Sequence, residues 1–354
     1  MAATTSVPAL LLLLLAALSS CLYAVEGIRS AGAWSNMGAR REAVRKVVRR
    51  VNAEGPYVGI VVPNSYEMSP LLNASIFTPS PTSPIDLSGR RFYIGTIESH
   101  KVIIVMTGLS MLNAGITTQT LVDYFDISGI VHYGIAGNAN DDLHIGDITI
   151  PKYWAHTGLW NWQRYGDNAN DDLSLEENGD FTREIGYLHF GNYDNSSKNH
   201  DNYLNNVWFQ YEEVFSVTGT PEVREHHFWV PVDKTYLAIA KQITGTELLS
   251  CVNASFCLQT PPKVAIVERG VSANIFLDNA AYRGFLRKKF NISPIDMESA
   301  SVALVCLTNN VPFIAIRALS DLAGGSSNEN EAAIFAALAS TNAVFVLTSF
   351  IKNI

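Results

Sequence analysis

Cysteine is scarce, with four residues in a chain of 354. None stands at a Cys/His spacing that would hold zinc, so no metal centre is expected. Charge is also sparse: 16% of residues are charged, Lys+Arg number 25 against Asp+Glu 33, and the formal net charge is -8. Nucleic-acid backbones are held by clustered Lys and Arg, so nucleic acid is excluded as a partner and small molecules are favoured. From Val102 to Pro151 there is no Lys or Arg at all. The apolar run Leu10 to Leu18 is too short to span a membrane.

What is present is a globular composition, 47% hydrophobic, with length enough for one large α/β core. Leu10 to Leu18, followed by Ser19-Ser20-Cys21-Leu22-Tyr23-Ala24, has the length of a signal-peptide core with small residues near a cleavage point, although Met1 to Pro8 lacks basic residues. Residues 1–24 are therefore expected to leave as a signal peptide, taking Cys21 with them. Sequons at Asn73, Asn195 and Asn253 fit glycosylation in that pathway. A fourth, at Asn291, is expected to be buried and unmodified. Cys306 lies in an apolar stretch as a buried free thiol. Cys251 and Cys257 flank the Asn253 sequon in a polar loop, where an oxidising compartment favours a local disulfide. Residues 25–55 include Arg40, Arg41, Arg45, Lys46, Arg49 and Arg50 interleaved with Ala43, Val44, Val47, Val48 and Val51. This is a basic amphipathic helix, expected to lie over an acidic domain rather than on a membrane.

Residues 56–354 read as one domain. Tyr57 to Val62 is a continuous apolar strand, and Pro63-Asn64-Ser65 turns into a helix that carries Glu67 just past the strand's carboxyl end. Phe92 to Ile97 and Val102 to Met106 predict a hairpin, and a helix follows to about Phe125. Ile130 to Gly137 is a strand ending in glycines, Lys263 to Val267 a further strand, and Asp278 to Phe290 a helix. Asn291 to Ile295 (strand), Met297 to Leu307 (buried helix), Phe313 to Leu319 (strand) and an amphipathic helix from Glu331 to Ile351 complete the pattern. Residues about 158–232 are rich in Trp, Tyr, Asn and Asp, which predicts an insertion serving as a lid or an interface. Ligands of α/β sheets bind at the carboxyl ends of strands, so Glu298 and Asp321 are expected to face one pocket. The plainer alternative makes Glu298 a helix cap and Asp321 the opening of a turn before Gly324-Gly325.

Asp296-Met297-Glu298-Ser299-Ala300 followed by Arg317-Ala318-Leu319-Ser320-Asp321 resembles the paired Met-Glu and Ser-Asp signature of the purine nucleoside phosphorylase and methylthioadenosine nucleosidase superfamily. Thr107-Gly108-Leu109-Ser110, Gly134-Ile135-Ala136-Gly137 and Ile145-Gly146-Asp147-Ile148 resemble further blocks of that family in the same order. The resemblance implies a single-domain, three-layer α/β/α fold around a central mixed twisted sheet, and a homo-oligomer. It implies that Glu298 holds the ribose hydroxyls, Met297 packs on the ribose, and Asp321, with Ser320 beside it, protonates the leaving base. Gly134, Ala136 and Gly137 would bring backbone close to base and ribose, Phe276 would contact the base, and Thr107 and Gly108 would supply donors to the anion or water site. Glu67 would activate the attacking water. No cofactor is implied, with phosphate possible as co-substrate. The Arg that phosphorylases carry two residues before the first glycine is His132 here, and Pro63 to Leu72 contains no Arg, which tilts the reading towards water. Arg317 remains as a cation able to reach the site.

Signal peptide, sequons, cysteine loop and nucleosidase-like core together resemble the plant bark and vegetative storage proteins of the superfamily. Three roles follow from that: cleavage of a purine nucleoside or cytokinin riboside in the secretory pathway, nitrogen storage in the vacuole or outside the cell, or binding of such a nucleoside without turnover.

Overall fold

The computed structural model describes residues 41–73, 75–162, 187–188, 207–220, 223–254, 256–325 and 332–354. The expected signal peptide, Asn195 and much of the insertion lie outside these residues. The chain divides into a unit ending at Glu54 and one running from Gly55 to Ile354. In the first, helix α1 covers residues 41–52, and Arg49 donates to Glu42 at 2.8 Å.

In the second unit, a run of apolar residues without alternation marks a strand covered on both faces. That is β1 (Tyr57–Val62), buried throughout. The chain continues through α2 (Ser65–Asn73), the short strands β2 (Phe77–Pro79) and β3 (Ile85–Leu87), the hairpin β4 (Arg90–Ile97) and β5 (His100–Met106), and α3 (Met111–Tyr124). Next come β6 (Ile127–Asn138) and β7 (Ile148–His156). Small ladders follow: β8 (Trp160–Trp162), β9 (Tyr187–Leu188) and β10 (Val207–Phe209) in one, β11 (Glu212–Val214) with β12 (Glu225–His227) in another. Then β13 (Val230–Pro231) joins the edge of the main sheet, and α4 (Lys234–Gln242) precedes the hairpin β14 (Cys251–Asn253) and β15 (Phe256–Cys257). The last elements are β16 (Val264–Ser272), α5 (Ala280–Phe290), β17 (Ile292–Asp296), α6 (Ser299–Thr308), β18 (Phe313–Leu322) and α7 (Ala332–Lys352).

Eleven of these strands form one mixed sheet, in the order β13-β7-β16-β17-β6-β1-β5-β4-β2, with β18 beside β6 and β7 and β3 beside β4. Helices cover it on both faces, giving the three-layer α/β/α fold. β6 is its hinge: parallel to β1 and β18, antiparallel to β17. Its carboxyl end is therefore where β1, β17 and β18 also deliver residues. β18 runs three residues beyond the strand expected from sequence. Its register against β6 jumps from Leu319↔Ala136 to Asp321↔Gly137, so Ser320 is a bulge residue. A bulge re-aims side chains without ending the strand. It turns both Ser320 and Asp321 towards the same space.

Two expectations are corrected. Asn291 is exposed, not buried, because it caps α5 in the left-handed conformation at φ 54°. α7 is apolar rather than amphipathic, carrying no charged residue before Lys352, and buries Leu338, Val344, Leu347 and Phe350. Within the insertion, Phe209 and Phe228 pack on Phe290 at ring centroid distances of 5.1 and 5.5 Å.

Cys251 and Cys257 are disulfide-bonded across the β14–β15 hairpin. Asn253 in that hairpin is exposed, as is Asn73 at the end of α2. Cys306 is a buried free thiol.

Candidate active site

A cavity opens at the carboxyl ends of β1, β6, β17 and β18, lined among others by Glu67, Ala136, Gly137, Phe276, Met297, Glu298, Ser320 and Asp321. Four acids reach its wall, Glu67, Asp296, Glu298 and Asp321, and no Lys or Arg is among the lining residues described.

Glu67 owes its place to the turn after β1. Asn64 Oδ1 accepts the Glu67 N–H at 3.2 Å, starting the helix one turn early enough to send the carboxyl inward. The residue is 1% exposed. Tyr133 Oη donates to its backbone carbonyl at 3.0 Å, and Ile135 N–H donates to Oε1 at 2.7 Å. Oε2 is buried with no partner. Burial pushes the carboxyl up to about 8, against the pull of Arg317 and the Ile135 N–H. A buried, half-unsatisfied carboxylate on a cavity wall is a group poised to take a proton.

Glu298 stands at the start of α6 but makes no side-chain cap. Its Oε1 accepts Ser110 N–H at 2.9 Å instead. Burial raises this carboxyl, again opposed by Arg317. The capping is done by Asp296, whose Oδ1 accepts the N–H groups of Glu298 and Ser299 at 3.2 and 3.1 Å. Asp321 Oδ1 accepts from Ser320 Oγ at 2.6 Å, which fixes the carboxyl's rotation.

Two residues of the quoted motifs make contacts that spacing alone did not assign. Arg317 is fully buried, with Nε 2.6 Å from Asp296 Oδ2 and Nη1 3.8 Å from Glu67 Oε1. Nη2 of Arg317 donates to His132 Nε2. Burial and the Arg317 charge hold His132 well below the usual histidine range, hence neutral. The signal for Asp296 was present: an Asp just before a helix whose first residue is Ser is a cap signature.

Three of the expected residues are not among those that line the cavity. Thr107 and Gly108 do not line the cavity. Thr107 Oγ1 donates to Gly108 O at 2.6 Å and Gly108 N–H to Pro63 O at 2.8 Å. With Gly108 at φ 84°, this turn serves to present Ser110 N–H to Glu298. Gly134 does not line it either. A Cβ there would lie 2.2 Å from Arg317 Nη1 and 2.3 Å from Glu67 Oε1, so the glycine makes room for that pair. Gly134→Ala is accordingly expected to destabilise the protein by about 3 kcal/mol, the upper range for overpacking a buried site. Thermal unfolding would show it, and an unchanged midpoint would disprove the role.

Among the described residues no group of three or more His, Cys, Asp or Glu is placed to hold a metal.

The Phosphorylase superfamily profile matches residues 57–352. The chain belongs to the phosphorylase superfamily. It is 30% identical to bark storage protein A of Populus deltoides over 300 residues, 84% of this chain and 88% of that one. It is 25% identical over 244 residues to a 5'-methylthioadenosine/S-adenosylhomocysteine nucleosidase of Bacillus cytotoxicus, covering 68% of this chain and 77% of the relative. The crystal structure of the nucleosidase of that name from Helicobacter pylori, in complex with butyl-thio-DADMe-Immucillin-A, superposes with a TM-score of 0.57 at 18% identity, covering 84% of this chain and 98% of the other. At that identity the likeness shows the fold.

Proposed function

We propose that this superfamily member cleaves the N-ribosidic bond of purine-type nucleosides, with water as nucleophile. The observation that carries the reading is the orphaned Glu67 Oε2, buried on the wall of a cavity whose other acids are Glu298 and Asp321. Breaking an N-ribosidic bond develops positive charge on the sugar and negative charge on the base. Catalysis therefore needs carboxylates near the ribose, a proton at the base and a positioned nucleophile. Glu298 accepts from the 2' and 3' hydroxyls, Met297 packs on the ribose, and Asp321 gives a proton to the purine N7. Glu67 takes a proton from the water that forms the new bond to the sugar carbon. The pairing of one acid with one base follows the logic of glycoside hydrolysis.

Phosphate fits less well. A dianion needs a cation fork, and the cavity-lining residues described include neither Lys nor Arg. Arg317 is engaged elsewhere, by Asp296, Ser299, Ile135 O and His132. The likeness to bark storage protein supports a second reading, accumulation as a nitrogen reserve in the vacuole or outside the cell. The disulfide of β14–β15 and the exposed sequon asparagines Asn73 and Asn253 are consistent with that route. A homo-oligomer is part of the proposal, supported by the exposed Leu109, Leu112 and Ile116 at and along α3.

The deciding experiment is base release from adenosine, inosine, methylthioadenosine and a cytokinin riboside by the secreted protein, with and without phosphate. Release without phosphate is the expected result. Release only with phosphate would replace water by phosphate, and no release from any of them would leave storage or binding.

A further inference from the structure

Arg317 carries five N–H donors and has three carboxylates around it, yet it bonds to only one. Nε faces Asp296 Oδ2 at 2.6 Å and donates to Ser299 Oγ at 3.0 Å. Nη1 donates to Ile135 O at 3.3 Å, and Nη2 to His132 Nε2. The His132 tautomer is fixed from the far side: Nδ1 lies 2.9 Å from the Val61 carbonyl, which can only accept, so Nε2 is left as the acceptor. Glu67 Oε1 and Glu298 Oε2, at 3.8 and 3.7 Å from the guanidinium, feel its charge without a hydrogen bond.

We infer that Asp296 is a positioning residue for the proposed reaction: together with Ser299 it draws the Arg317 guanidinium off the two substrate-facing carboxylates, leaving Glu67 Oε2 free to take a proton from water. The inference rests on the hydrolytic reading above. Asp296 reaches the cavity wall, but its oxygens are already used. Oδ1 accepts from Ser272 Oγ and from the N–H groups of Glu298 and Ser299, and Oδ2 from Ser299 Oγ and Arg317 Nε. It acts on the reaction through Arg317.

The groups facing Glu67 are Arg317 and Asp321 on β18, Asp296 and Glu298 around the end of β17, and His132 and Tyr133 on β6. The only charged residue of α7, which packs on α2, is Lys352 at its far end. Neutralising Asp296 acts on Glu67 twice in one direction. It removes a like charge, and it releases the cation towards the nearest remaining acids. Both stabilise the ionised Glu67 and weaken it as a base.

Asp296→Asn separates this role from capping. Asn caps a helix as well as Asp, and its Oδ1 can keep the three Oδ1 bonds. Its Nδ2, a donor, would face the Arg317 donor. Glu67 is read directly by infrared difference spectroscopy of its carboxyl band, with Glu67→Gln as reference, in the protein without substrate from pH 5 to pH 10. The wild-type midpoint is expected near 8. In Asp296→Asn it is expected to fall by about one pH unit or more, with thermal unfolding showing a folded protein; an unchanged or higher midpoint overturns the inference. Should Asp296→Asn fail to fold, Ser299→Ala decides: a lowered midpoint supports it, an unchanged one overturns it. Base release is assayed in parallel. A wild type that cleaves nothing defeats the hydrolytic reading, while the titration still tests whether Asp296 holds Arg317 away from Glu67.

Discussion

Asp321→Asn should lower the release of base from purine nucleosides by about a thousandfold, within the 10²–10⁴ range of a general acid, and leave the fold intact. The substitution is isosteric, and the amide oxygen can still accept from Ser320 Oγ as Oδ1 does at 2.6 Å. What is lost is the only chemistry asked of this group, a proton for the departing nitrogen. The bulge at Ser320 makes the prediction sharp: the position is held by the β18 ladder, with Asp321 paired to Gly137, so neither side chain is needed to place it. A substrate whose leaving group requires no proton, such as 4-nitrophenyl riboside, should be cleaved by Asp321→Asn at close to the wild-type rate. Equal loss on both substrates would mean that Asp321 holds the ribose or the fold, not the leaving group.

The same stretch shows what a sequence discloses and what it does not. The continuous apolar run of β1 and the alternation of small and apolar residues around Glu298 mark buried elements directly, because burial on both faces leaves no polar position. Glu298 and Asp321 were legible as strand-end acids. Their partners were not. Whether Glu298 caps α6 or reaches Ser110 N–H depends on a contact between residues 188 positions apart, and local spacing carries no information on it. Arg317 was legible as a cation able to reach the site, but its partner His132 follows only once β18 lies beside β6. Gly134 was legible as a glycine that something approaches closely. Only the structure shows Glu67 and Arg317 as its neighbours. The end of β18 was missed for a related reason, since a bulge is a property of the pairing of two strands and not of one.

Glu67→Gln should abolish phosphate-independent cleavage at every pH, and the wild-type pH profile should say why. A base must be ionised to accept a proton, and Glu67 is raised to about 8. The rate therefore climbs about tenfold per pH unit up to that value. At pH 7 about a tenth of the sites are active, and at pH 5.5 about one in 300. An acidic compartment would thus silence an intact site, so the storage and nucleosidase readings are compatible in one protein: it could accumulate without consuming nucleosides and cleave them near neutrality. Stability carries the same signature with a definite sign. Between the unfolded value near 4.5 and the folded value near 8, the native state binds the proton that the unfolded chain has lost. Stability from this group is therefore complete below the unfolded value and is lost as pH rises through the folded one. Glutamine cannot lose a proton, so Glu67→Gln should gain thermal stability over the wild type as pH is raised from 5 to 9. A constant gap between the two melting curves, or a rate profile flat across pH 6 to 9, would show that Glu67 is not the buried base.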